Sequence, residues 1–190
     1  MTAIAPHISA FLLERLPVER RASPHTQDSY SYAFQLLFQF MSERLTIPPS
    51  ALHVEQIDAP LVLDFLNHLE RDRGNSASTR NVRLAAIKSF FRFIEYRVPS
   101  ALEQVRRILA IPPKKTEERL VIHLTVPEMK AVVAAPDPAT RDGIRDRAMI
   151  HMAFSAGLRV SELVGLRLND VSLDGTPSIL VRGKGRRERA

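Results

Sequence analysis

The chain has 190 residues, 45% hydrophobic and 25% charged, which places it among folded globular proteins and against intrinsic disorder. No apolar run reaches the ~20 residues of a membrane helix, residues 1–9 lack the pattern of a secretory signal, and the absence of cysteine removes disulfides and thiolate metal ligands and fits a reducing cytoplasm. Lys and Arg total 27 against 21 acidic residues, a net charge of +6, which suits phosphate polymers because each neutralised phosphate releases counterions, although a merely soluble basic protein has the same sum.

In chain order, 8–16 reads as a short amphipathic helix ended by Pro17. Ser23-Pro24 is an N-cap followed by proline in the first turn. Tyr30, Phe34, Leu37, Phe38 and Met41 then recur at helical steps to about Arg44, before Pro48-Pro49 breaks the chain. Asp58 caps a third helix with Leu61, Phe65, Leu66 and Leu69 as its buried stripe, stopping near Gly74. A fourth, capped by Ser76 or Ser78, buries Val82, Leu84, Ile87, Phe90, Phe91 and Ile94, and a fifth spans 101–109. These five make a helical domain over 1–110. The proline-rich, charged segment 111–119 is a linker by composition.

A second domain, 120–190, is expected to be mixed α/β and incomplete. A short extended piece at 120–124 precedes Thr125-Val126-Pro127-Glu128, a capping box. A helix over about 139–155 ends at Gly157, where a left-handed cap is expected. A short helix at Ser161-Glu162-Leu163 follows, and then a strand at 178–181 leading into the turn Gly183-Lys184-Gly185. No strand is expected to return from that turn, leaving an unpaired edge that reads as truncation.

Two stretches carry the chemistry. Gly157-Leu158-Arg159-Val160-Ser161-Glu162-Leu163 is followed by Val181-Arg182-Gly183-Lys184-Gly185-Arg186-Arg187-Glu188-Arg189. Taken singly, Arg159 is a solvated arginine at a helix start, Glu162 a residue favoured by the helix dipole, and Lys184 a solvent-facing turn residue. Together they resemble the opening of the catalytic domain of the tyrosine recombinase (phage integrase) family, which pairs G-L-R-x-S-E-L with a downstream G-K-G-x-K-x-R turn; Arg187 stands where that pattern often has lysine. The patterns Ser23-x-His25-Thr26-x3-Tyr30 and Ser78-Thr79-Arg80-x2-Arg83-Leu84 are similar to helices of the family's SAM-like core-binding domain.

The resemblance implies a mainly α fold: a SAM-like helical core-binding domain followed by an incomplete mixed α/β tyrosine-recombinase catalytic domain. It implies that Arg159 grips the scissile phosphate, Glu162 supports it, and Lys184 protonates the leaving 5′-oxygen. Ser23, His25, Thr26, Ser78, Thr79, Arg80, Arg83 and Lys88 would contact DNA, as would Arg182, Arg186 and Arg187 beside Lys184. It requires no metal and no small-molecule cofactor. The expected partners are double-stranded DNA and full-length recombinase protomers, in the cytoplasm and away from membranes, with the chain itself mainly monomeric. The family's nucleophilic tyrosine has no counterpart after residue 159, since the tyrosines are Tyr30, Tyr32 and Tyr96; His68-Leu69-Glu70-Arg71 spells H-x-x-R only by chance. Two fates fit such a chain: an inert remnant, or a non-catalytic DNA-binding regulator that occupies recombination sites. A protein-binding helical adaptor is the reading outside DNA.

Overall fold

The computed structural model of the chain describes residues 1–117, 123–182 and 188–189, with the backbone alone at 182, 188 and 189. They form two compact units, Met1–Glu118 and Arg119–Ala190.

The first unit is helical. Its start is pinned by Glu55, whose carboxylate accepts the Thr2 N–H and hydroxyl, each at 2.8 Å, while Ala3 forms a β-bridge with His53. α1 (Ile4–Ala10) then runs without a break into a π-helical stretch, Phe11–Glu19. The stop expected at Pro17 does not occur, for the proline lies inside this stretch. Proline has no N–H to donate and its ring crowds the turn behind it, and a wider turn accommodates both defects. The Arg20 N–H closes the helix on the Arg15 carbonyl at 3.0 Å, and Arg21 reverses the chain with φ 47°.

α2 (Pro24–Leu45) begins at the Ser23 cap and ends at Thr46, which takes a left-handed φ of 57°. α3 (Ala59–Arg71) starts where Asp58 accepts the Leu61 N–H at 2.8 Å. α4 (Ala77–Ile94) is capped by Ser76, and α5 (Leu102–Ala110) completes the unit. α4 packs against α2, α3 and α5, burying Leu84, Ile87, Phe90, Phe91 and Ile94. Val82, expected on that buried face, is instead 43% exposed. Phe11 sits among Tyr30, Phe34, Phe90 and Phe93, with ring centroids 5.5–6.4 Å away. The segment read as a linker opens on a core residue, since Ile111 is only 5% exposed.

In the second unit α6 (Val126–Ala134) opens on the capping box: Glu128 accepts the Thr125 N–H at 2.7 Å, and Thr125 accepts the Glu128 N–H at 3.4 Å. α7 (Arg141–Ala156) is capped by Thr140, which accepts the Gly143 N–H at 3.0 Å. Gly143 is buried against the backbone of Asp137, where any Cβ would collide. α7 ends at Gly157 with φ 59°, and α8 (Val160–Val164) follows. β1 (Val171–Ser172) pairs antiparallel with β2 (Ser178–Ile179), and β3 (Val181–Arg182) with β4 (Glu188–Arg189). A return strand is therefore present, and the unpaired edge expected after residue 181 is corrected. Residues 118–122, where most of the extended piece was expected, lie outside the described residues.

Two outcomes follow for the first unit. Phe11→Ala removes a fully buried ring and should cost about 3–5 kcal/mol in urea unfolding. The Thr2 N–H, ahead of smaller contributions, holds the Glu55 carboxyl down to about 2 from 4.5. A carboxyl depressed in the folded state stabilises above its unfolded value and loses that contribution as pH falls towards the folded one. Stability should therefore decline from pH 4.5 towards 2, and unfolding curves of Glu55→Gln should show a shallower decline.

Candidate nucleic-acid interface

α2 and α4 start alike. Ser23 accepts the Thr26 N–H at 3.3 Å and its hydroxyl meets that of Thr26 at 3.0 Å. Ser76 does the same to Thr79, at 3.2 and 3.1 Å. Each cap settles one of the orphan N–H groups of its first turn and leaves others directed outward, which suits an anion. Ser23, His25 and Ser78 are exposed here, and Thr26 and Thr79 half-buried.

The basic residues of α4 divide by pairing. Arg80 is buried at 4% exposure, its Nε 3.4 Å from Glu70 Oε2. That burial disagrees with Arg80 as a DNA contact: the side chain extends the inward stripe of Leu84, Ile87 and Phe91, and its guanidinium holds residues of its own unit. Arg83 is half committed. Its Nη1 donates to the Ser29 carbonyl at 3.1 Å and the Ser29 hydroxyl at 3.3 Å, with its guanidinium 5.0 Å from the Tyr32 ring centroid, so it fastens α4 to α2. Lys88 is half-buried, and burial first, Arg92 second, lowers its ammonium below the usual range. Among the described residues, no carboxylate lies within ion-pair reach of Lys88, Arg92, Arg20 or Arg21. Arg20 was not singled out from sequence; its Nη1 donates to Ser89 Oγ at 2.7 Å across 69 positions, a separation no local pattern signals.

In the second unit the turn after α7 builds a different feature. The left-handed Gly157 stops α7, the Leu158 N–H returns to the Ala153 carbonyl at 3.1 Å, and Arg159 becomes the first residue before α8. One carboxylate serves it twice. Glu162 Oε2 accepts the Arg159 N–H at 2.9 Å, and Oε1 accepts from Arg159 Nη1 at 3.0 Å. The Glu162 side chain is 4% exposed and that of Arg159 69%. A buried anion thus holds one edge of a guanidinium whose other N–H groups face solvent, the geometry in which a planar fork takes two oxygens of a phosphate. Arg167 and Asp170 repeat the backbone half of this turn, with Asp170 Oδ2 accepting the Arg167 N–H at 2.9 Å.

Lys184, Arg186 and Arg187 lie outside the described residues, and Arg182 is placed by its backbone, which pairs with Glu188. His68 of the H-x-x-R sequence pairs with Asp72 at 2.7 Å and lies tilted against Phe40, ring centroids 5.2 Å apart, within the first unit. No helix among the described residues is long and apolar enough to cross a membrane.

Residues 8–97 match the phage integrase N-terminal SAM-like domain, and residues 103–190 match the phage integrase family. The chain is 46% identical over 187 residues to the integrase/recombinase y4rC of Sinorhizobium fredii, and 34% identical over 189 residues to the tyrosine recombinase XerC of Pelobacter propionicus. It covers 98% and 100% of itself in these matches, but only 56% and 59% of those proteins. The fold superimposes on the crystal structure of the XerH site-specific recombinase bound to palindromic difH substrate, with a TM-score of 0.64, 21% identity, and 90% of this chain against 49% of that one. Two consecutive domain matches spanning nearly the whole sequence, and the shared helical fold, agree: the chain belongs to the tyrosine recombinase (phage integrase) family.

Proposed function

We propose that this chain binds double-stranded DNA in site-specific recombination, using the starts of α2 and α4 and the Arg159 turn. The observation that carries the proposal is Arg159, an exposed guanidinium oriented by a buried carboxylate at the position of the family's phosphate-gripping arginine. The XerH structure, solved with its difH substrate, supports the choice of ligand. In this reading Ser23, His25, Thr26, Ser78, Thr79 and Lys88 meet phosphates, with Arg83 beside them as a brace between α2 and α4. Phosphate contacts of this kind fix register, and base edges supply sequence choice.

Arg159 would stabilise the phosphodiester as charge builds in the transition state, with Glu162 as its positioning residue. Lys184 would protonate the leaving 5′-oxygen, flanked by Arg182, Arg186 and Arg187. The attacking tyrosine has no candidate within 159–190, because Tyr30, Tyr32 and Tyr96 all belong to the helical unit. The 190 residues by themselves should therefore bind DNA without forming a covalent phosphotyrosyl adduct, and full-length protomers are the partners that would supply the missing step.

Gel-shift titration should show affinity falling on the order of 10³-fold between 50 and 200 mM salt. A suicide substrate should trap no adduct. Salt-independent binding would point to a protein partner instead, and a trapped adduct would contradict the assignment of the nucleophile. Arg159→Ala and Lys88→Ala should each lower the slope of log affinity against log salt by about one. Arg80→Ala should leave that slope alone and cost about 2 kcal/mol in thermal unfolding, because it removes the buried guanidinium's hydrogen bond to Asn81 and its ion pair with Glu70.

A further inference from the structure

Asn81, in the first turns of α4, makes a double hydrogen bond with the backbone of Lys114. Its Nδ2 donates to the Lys114 carbonyl at 2.8 Å, and its Oδ1 accepts the Lys114 N–H at 2.9 Å. The side-chain amide thus pairs with one residue of extended chain as a neighbouring strand would. The Lys114 ammonium donates to Glu70 Oε2 at 2.7 Å. Behind both stands the buried Arg80. Its Nη1 donates to Asn81 Oδ1 at 3.3 Å, and its Nε lies 3.4 Å from the same Glu70 oxygen. A desolvated guanidinium therefore orients the amide and the carboxylate that hold Lys114. Three residues earlier Ile111 is packed into the core, and Pro112-Pro113 between them stiffen the backbone.

We infer that Asn81 and Glu70, set by Arg80, latch Lys114 to the helical unit, so that the chain is held there as far as Lys114 and not only to Ile111. None of these residues needs to touch a ligand to do this. The consequence for DNA rests on the proposed function: a shorter tether raises the effective concentration of the second unit once the first is bound.

The latch can be tested in the whole chain without DNA, so it stands or falls apart from the DNA reading. Hydrogen exchange should show the Lys114 amide protected, and Asn81→Ala should accelerate it about tenfold. Lys114→Pro removes the donor from the linker side and leaves α4 intact, guarding against a variant that merely unfolds. Because the chain has no cysteine, Gln35→Cys with Ala148→Cys gives one pair of spin labels, one in each unit. Their distance distribution should broaden in both Asn81→Ala and Lys114→Pro. An unprotected Lys114 amide, or a distribution of the same width in both variants, overturns the latch. So does a loss of DNA affinity confined to Asn81→Ala with Lys114 exchange unchanged, which would put Asn81 at the phosphates.

Discussion

Burial of α4 on three sides is the constraint from which most of the first unit follows. α2, α3 and α5 each take part of its surface, and the helix offers solvent only the strip that includes Ser78, Val82, Ala85 and Arg92. An arginine on the enclosed side has to find partners within the protein, since an unpaired buried charge is costly. Arg80 finds Glu70 and Asn81; Arg83, at the border, finds Ser29 and Tyr32. The cations left for an external anion are those on the open strip and its neighbours, which makes the division a result of packing rather than of local sequence.

Arg159 shows the complementary arrangement. There the carboxylate is enclosed and the guanidinium is open. Glu162 also caps the Arg159 N–H, so the bond that starts α8 is made by the side chain that orients the arginine. Fold and site are tied by one residue. The second unit otherwise buries little: among the described residues its only buried hydrophobic side chain is Val181, while Ile144 and Phe154 on α7 are each 59% exposed.

Much of this was legible in the sequence where the cause is local. Ser23, Asp58, Thr125 with Glu128, and Gly157 announce helix ends through short-range hydrogen bonds or a left-handed turn, and each acts as expected. The spacing of Arg159 and Glu162 likewise brings them together across one turn. What was not legible depends on distance or on competition. Pro17 reads as a stop, yet packing around Phe11 and Leu16 carries the helix past it. The family pattern Ser78-Thr79-Arg80-x2-Arg83-Leu84 places Arg80 at DNA, whereas its position four residues before Leu84, on the buried stripe, is the signal for the burial observed. The bond between Asn81 and Lys114 spans 33 positions, and no periodicity foretells it. The β3–β4 pairing is not readable because two-residue strands leave no alternating pattern.

Thr46 carries a separate implication. A β-branched residue is poorly suited to the left-handed conformation that ends α2, and glycine or asparagine would adopt it at lower cost. The Ser42 hydroxyl compensates by donating to the Ile47 carbonyl at 2.6 Å, just beyond the turn. Thr46 is also exposed and lies at the far end of α2 from Ser23. This corner is thus a place where thermal robustness could be raised by design while the capped start of α2 keeps its chemistry.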